Sequence, residues 1–246
     1  MRKMIALALY LSLLQPVFQL HAQTKRVPVA FSAISATQCA LWITKEAGLF
    51  EKHRLAVDLV FVSSGSRVAQ TVMAGEFPVA FVGGTIVNAN LAGGDIAVVG
   101  GVVNVPAFFL IVHPSIKKPE DLKGKALGIT RYASSTDFTL RYLVRSWGMD
   151  PERDIKILQM GGQPEILAGM QSGVIQGGNL SSPTEFKARK AGFALLQDLG
   201  KIGLDYPVVS IGSTRSFIKK DPATVKNFLM AYTEGVHKLW RDKEFA

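Results

Sequence analysis

The segment VPVAFSAISATQCALWITKEAG, residues 27–48, contains a strand, a turn and a helix in succession. Val27, Val29 and Phe31 make a short β-branched and aromatic run. A turn bearing Ser32 and Ser35 follows, then a helical stretch from about Thr37 to Ala47. Gly48 stops it, because glycine takes the left-handed conformation that closes helices at no steric cost. Strand, hydroxylated turn and helix together form the repeating unit of a parallel α/β sheet.

The same unit recurs outward along the chain. Strands are predicted at 57–62, 79–82 and 96–100, with a helix over 66–74 that ends at Gly75. Residues 102–113 read as a long extended crossing, after which the pattern restarts. A short helix opens at Pro119, a strand spans 126–130, and a helix over 136–147 places Leu140, Leu143, Val144 and Trp147 on one face. Strands at 155–159, 174–176 and 194–196 and helices at 165–171 and 183–190 follow. Residues 206–211 read as a return crossing. Asp221 then precedes Pro222 as an N-cap before a first-turn proline, and the helix they open carries Val225, Phe228, Leu229, Tyr232, Val236, Leu239 and Trp240 at helical spacing. The expected organisation is a first lobe begun by residues 23–108, a second lobe of 109–207, and a return to the first lobe over 208–246. The halves also echo each other, since MAGEFPVAFVGG (73–84) resembles MQSGVIQGG (170–178). A generic helix-to-strand turn accounts for that echo nearly as well.

Composition bounds the function. Of 246 residues, 48% are hydrophobic and 19% charged, which supports a packed core and excludes disordered and fibrous classes. Arg2 and Lys3 precede an apolar run from Ile5 to Leu14, and Leu20-His21-Ala22 supplies small residues for cleavage. Residues 1–22 therefore read as a signal peptide cut after Ala22. The run is shorter than the roughly 20 residues of a membrane span, and Pro16 interrupts its continuation. Cys39, the single cysteine, cannot form an internal disulfide and lies too far from the apolar run to be a lipidated terminus, so a Gram-negative periplasm is expected. Within its apolar helix it reads as a buried small hydrophobe. The formal charge of +9 favours anionic partners, yet the basic residues are scattered (Lys117-Lys118, Lys187 to Lys190, Lys219-Lys220) and lack interleaved aromatics. No nucleic-acid partner is expected.

In open α/β sheets, ligands settle beyond the carboxyl ends of strands, where helix N-termini present unpaired amides. Those positions are small and hydroxylated here. After the first strand come Ser35, Thr37 and Gln38; after the second, Ser63, Gly65 and Ser66; after the third, Gly84 and Thr85. In the second lobe Arg131 offers a bidentate clamp for an oxyanion, and Ser134, Ser135 and Thr136 offer hydroxyls and amides at a helix start. Asp137 competes for the same donors, so this cluster reads equally as ligand contact or as helix capping. Ser182, ahead of Pro183, repeats the theme. Trp42, Tyr132 and Phe186 are candidate apolar walls. Catalytic patterns do not appear. His21, His53, His113 and His237 are mutually distant, no HxxxH or CxxC spacing offers a metal site, and there is no GxSxG, GxGxxG or phosphate-loop lysine. No cofactor is expected.

Several of these segments together resemble a known family. Lys45-Glu46-Ala47-Gly48-Leu49-Phe50 before a strand, Ala74-Gly75-Glu76, Pro119-Glu120-Asp121-Leu122-Lys123-Gly124-Lys125 before a strand, and Ser134-Ser135-Thr136-Asp137 are similar to solute-binding proteins of the nitrate/sulfonate/taurine type and their thiamine-precursor-binding relatives. The resemblance implies a type II periplasmic-binding-protein fold, two α/β lobes joined by two crossing strands. It also implies a cleft lined by Ser35, Ser63, Gly84 and Ser134 to Thr136. The implied role is capture of a small anionic ligand by hinge closure, as a monomer, for an ABC permease and its cytoplasmic ATPase. Relatives continue with further helices beyond the position of Ala246, so the first lobe is expected to be incomplete at its C-terminal end, with the last helix partly bare. The resemblance to enzymes on this scaffold, of the menaquinone-pathway or pyrimidine-precursor type, is weaker, because a signal peptide is out of place on a cytoplasmic enzyme and no cysteine/histidine cluster is present. A sensory use of the lobe pair is not separated from transport.

Overall fold

The computed structural model describes residues 24–245, so the expected signal peptide, residues 1–22, lies outside the described residues. The first sheet begins with β1 (Lys25–Phe31), β2 (Leu55–Phe61), β3 (Val79–Phe81) and β4 (Ile96–Val103). The chain then crosses over residues 104–108 to a second sheet of β5 (Phe109–Val112), β6 (Ala126–Ile129), β7 (Lys156–Gln159), β8 (Gly177–Leu180) and β9 (Ala194–Asp198). It returns over residues 199–208 to β10 (Val209–Thr214), which completes the first sheet.

The strand orders are β2-β1-β3-β10-β4 and β7-β6-β8-β5-β9. Each lobe thus has the same plan: its second strand at the edge, then its first, its third, the strand that arrives from the other lobe, and its fourth. The echo between residues 73–84 and 170–178 falls on the segments leading into β3 and β8, the third strand of each plan. The sheets are mixed, which corrects the all-parallel expectation. β10 runs antiparallel to β3 and β4, and β5 antiparallel to β8 and β9. These two strands enter from the hinge, the opposite end from the strands that follow helices within a lobe. Their apolar runs carry no mark of direction, because a strand covered on both faces reads the same either way.

Helices cover both faces of each sheet, and alternate strand residues separate the two packing layers. On one face of the first sheet Val29, Val79 and Phe81 meet α1 (Cys39–Glu46), α2 (Leu49–Lys52) and the long helix α9 (Pro222–Arg241), where Phe228 stacks on Phe50 at 5.1 Å. On the other, Ala30, Ala80 and Val82 meet α3 (Gly65–Met73) and α4 (Thr85–Leu91). In the second sheet Leu110 and Leu127 face α5 (Ser135–Ser146), while Ile111 and Leu180 face α6 (Gln163–Gln171) and α7 (Thr184–Lys190). The helix α8 (Arg215–Lys220) links β10 to α9. Along α9, Val225, Phe228 and Tyr232 are buried, whereas Trp240 is exposed. Cys39 is half-buried, where a buried position was expected, and it is unpaired among the described residues.

Two local readings shift. β8 forms at Gly177–Leu180 and not at 174–176. A Cβ on Gly177 would stand 2.7 Å from the Ile111 carbonyl oxygen, and one on Gly178 2.6 Å from Ile166, so this central strand needs glycines that propensity disfavours. Helix α4 is not among the elements predicted from the sequence. Its head is set by Gly83 at φ 87°, and Asn90 ties it to β4 through hydrogen bonds with both the amide and the carbonyl of Ile96.

Candidate functional site

A cavity of about 280 Å³ lies between the lobes, at the ends of β1, β2, β6 and β8 where loops lead into helices. Phe108 and Val208 of the crossings and Val209 at the start of β10 also line it. The first lobe contributes Ser32, Ile34, Ser35, Thr37, Gln38, Phe61, Ser64 and Gly65, and the second Thr130, Ser134, Ser135, Thr136, Gln163, Glu165, Ser181, Thr184 and Lys187.

In the first lobe Ser35 caps a 3-10 turn (Ala36–Gln38), its hydroxyl accepting from the Thr37 amide at 3.3 Å. The Gln38 amide nitrogen donates to Ser32 at 3.2 Å, and its carbonyl oxygen, buried, finds no partner among the described residues. The loop after β2 turns through Ser64, which holds φ 77°, a left-handed value costly for a residue with a Cβ and characteristic of functional sites. Helix α3 has no side-chain cap on its first amides and no acid in its first turn, so its head opens into the cavity. Gly65 is required there, because a Cβ would lie 2.7 Å from the hydroxyl of buried Thr85.

In the second lobe the head of α5 is internally satisfied. Thr130, Ser134 and Thr136 form a triangle of hydroxyls at 2.9–3.0 Å. Ser134 also donates to the Arg131 carbonyl at 2.6 Å and caps the Asp137 amide, while Asp137 accepts from the Ala133 amide and pairs with Arg141. Ser135 is the freer hydroxyl. It receives a long hydrogen bond, 3.4 Å, from Tyr206, whose phenol is pushed above its ordinary pKa by burial and remains a donor at neutral pH.

Of the expected contacts, Ser35, Thr37, Gln38, Gly65, Ser134, Ser135 and Thr136 reach the cavity wall; Ser63, Ser66, Gly84, Thr85, Arg131 and Ser182 do not. Ser66 is turned to Ser64, with their hydroxyls 3.0 Å apart. Gly84 is covered by Tyr206, whose ring carbon Cζ would be 2.3 Å from a Cβ there. Ser182 is engaged with Glu185 at 3.0 Å. Trp42 packs edge-on against Phe31 in the core, and Tyr132 bonds the Ile157 carbonyl, so neither is a wall. Phe186 is exposed. Phe61 and Phe108 are the aromatic walls instead, and the position of Phe61 at the carboxyl end of β2 was the signal that could have found it.

Glu165 and Lys187 are the charged residues of the lining. A Cβ on Gly162 would lie 2.6 Å from the Glu165 carboxylate, so this acid sits over the entry to its own helix, where the dipole favours it. Lys187 is the cationic side chain of that lining among the described residues. No histidine or cysteine lines the cavity among the described residues, and these hold no metal-competent cluster of three or more His, Cys, Asp or Glu. Donors, amides and apolar walls can grip a solute.

Two lobes of one strand plan, joined by two crossings around a hydroxyl-lined cavity, define a periplasmic-binding-protein fold. The chain belongs to the NMT1/THI5-like family, whose model matches residues 37–245. It is 25% identical over 234 residues to the nitrate import ATP-binding protein NrtC of Synechocystis sp. (strain ATCC 27184 / PCC 6803 / Kazusa), covering 81% of this chain and 33% of that one. Over 122 residues it is 31% identical to the taurine-binding periplasmic protein of Escherichia coli (strain K12), covering 48% and 37% of the two chains. The chain thus spans about a third of the length of these curated relatives. The alkanesulfonate-binding protein SsuA from Xanthomonas axonopodis pv. citri bound to MOPS superposes with a TM-score of 0.78 at 19% identity, covering 89% of this chain and 75% of that one.

Proposed function

We propose that this protein is the solute-binding component of an ABC importer and captures a small organic anion between its lobes without transforming it. The observation that carries this reading is the cavity itself. Hydroxyls, the open head of α3 and Lys187 offer donors to an anionic group, while Phe61, Phe108 and Ile34 offer an apolar surface to a carbon body. A volume of about 280 Å³ lies near the lower end of the roughly 300–1,000 Å³ common for small-molecule sites, which suits a small organic anion. The alkanesulfonate-binding, nitrate-import and taurine-binding relatives support the ligand class and the transport role. The leader read at residues 1–22 supports a periplasmic site of action, from which a permease and its ATPase would take the solute.

Closure follows from differential contact. A solute that touches both walls binds the closed arrangement more tightly than the open one and shifts the population toward it. The test is thermal unfolding with alkanesulfonates of increasing chain length, taurine, a hydroxymethylpyrimidine and nitrate. An organic anion at a hundred times its Kd should raise stability by about 2.7 kcal/mol. Stabilisation by nitrate alone would refute the organic class, and consumption of a compound on incubation would replace binding by catalysis.

A further inference from the structure

Tyr206 lies in the return crossing and touches the outward crossing and both lobes. Its backbone amide donates to the Asn104 carbonyl at 3.0 Å, which joins the return crossing to the outward one. On the first-lobe side its ring lies against Gly84, at a distance that leaves no room for a Cβ. On the second-lobe side it stacks on Phe138 of α5, with ring centroids 4.5 Å apart and planes 11° from parallel. Its hydroxyl reaches Ser135 at the head of the same helix, inside the cavity wall.

We propose that Tyr206 is a positioning residue for ligand capture: a strut on the hinge that fixes the closing angle and presents the Ser135 hydroxyl to the solute. Because its backbone is tied to Asn104, the ring cannot follow both lobes as they part. Opening breaks either the stack on Phe138 or the fit against Gly84. An aromatic pair of this geometry favours the closed arrangement by roughly two- to tenfold beyond the area it buries. Gly84 is therefore glycine because the strut needs its surface, which explains why a position expected in the cleft is covered by a ring instead.

This inference rests on the cleft being the binding site, but its test needs no ligand. Small-angle scattering of the ligand-free protein is compared for the unmodified chain, Tyr206→Phe, Tyr206→Ala and Gly84→Ala, each checked by circular dichroism for native secondary structure. Tyr206→Phe keeps the stack and should retain the radius of gyration of the unmodified chain. Tyr206→Ala should lower the closed-to-open ratio by roughly two- to tenfold, and Gly84→Ala, whose methyl would stand 2.3 Å from the ring, should lower it too, each read as a larger radius of gyration. Gly84→Ala does so without altering Tyr206, which keeps the test valid if Tyr206→Ala does not fold. A merely structural tyrosine would lower the melting temperature and leave the radius unchanged, and that result overturns the proposal. If the radii shift as expected while no compound of the panel binds, the strut stands and the solute-binding reading fails.

Discussion

The backbone amide of Ala36, in the turn after β1, donates to the carbonyl oxygen of Ser182, in the loop after β8, at 3.0 Å across the cleft. A second bond between the lobes runs from the Asn88 side chain to the Ala133 carbonyl at 3.3 Å. The lobes are therefore joined directly at the rim as well as at the hinge. Ser182 serves through its backbone, and its side chain is occupied by Glu185.

Ala36→Pro isolates that rim contact. Proline removes the donor, yet Ala36 is the first residue of its 3-10 turn and follows Ser35 in extended conformation, φ −145° and ψ 149°, which is what a residue before proline prefers. The loss of one hydrogen bond, about 1 kcal/mol, should speed release of a bound alkanesulfonate about fivefold in stopped-flow measurements. The midpoint of urea unfolding should stay nearly constant. An unchanged release rate would show that the rim bond does not hold the closed form.

Ser134 and Ser135, adjacent in sequence, should respond oppositely. Ser134 is buried, caps α5 and spends its hydroxyl on the Arg131 carbonyl, so Ser134→Ala should cost about 1 kcal/mol of folding stability. The Ser135 hydroxyl meets, among the described residues, only the long bond from Tyr206. Ser135→Ala should leave stability within about 0.5 kcal/mol and weaken solute binding several-fold, as calorimetry would record. Equal losses of stability in both variants would return the whole cluster to capping.

These two serines also mark how far the sequence could be read. Most strands, though not β8, and the Gly48 stop and the Asp221-Pro222 start were legible because each depends on a local pattern, and they place the loops that face the cavity. Which side chain in a loop turns inward depends on single dihedrals and on residues distant in sequence. Ser64 reaches the cavity ahead of Ser63 and Ser66 because it takes φ 77°, which hydroxyl composition does not reveal. Gly84 is lost to the cavity because Tyr206, on the return crossing, lies over it. Glu165 and Lys187 enter the lining from α6 and α7, helices that were recognised while the sides they present were not.

Asp221 links pH to the first lobe. Its hydrogen bonds to Lys25 and to Thr224 hold the carboxyl at about 2, below the ordinary 3.8. The folded state therefore favours the ionised form. The resulting stability is complete above about pH 4 and is lost as the pH falls from 3.8 toward about 2. Asp221→Asn retains an N-cap for α9, since asparagine caps as well as aspartate, but abolishes the ion pair. Urea midpoints measured against pH should lose part of their slope in that window. At neutral pH the cost should stay below about 1 kcal/mol, because Lys25 is half exposed. An unaltered slope would remove Asp221 from the acid response.

Gly235 should reverse a common rule. In an exposed helix, glycine to alanine gains about 1 kcal/mol, because alanine loses less backbone freedom on folding. Gly235 instead lies where α9 crosses α1, and a Cβ there would stand 1.9 Å from the Thr44 hydroxyl and 3.0 Å from the Thr44 Cα. Thr44 cannot yield, since it is fully buried and its hydroxyl donates to the Ala40 carbonyl at 2.6 Å. Gly235→Ala must therefore push α9 off the sheet and should cost about 1–3 kcal/mol in urea unfolding. Adding Thr44→Ala should recover only part of the loss, because the Thr44 Cβ and Cα, 2.8 and 3.0 Å from the new methyl, remain. Solute affinity measured well below the melting temperature should be unaffected, since this crossing lies behind the first sheet and contributes nothing to the cavity wall. A Gly235→Ala protein more stable than the original would show that the two helices are free to separate.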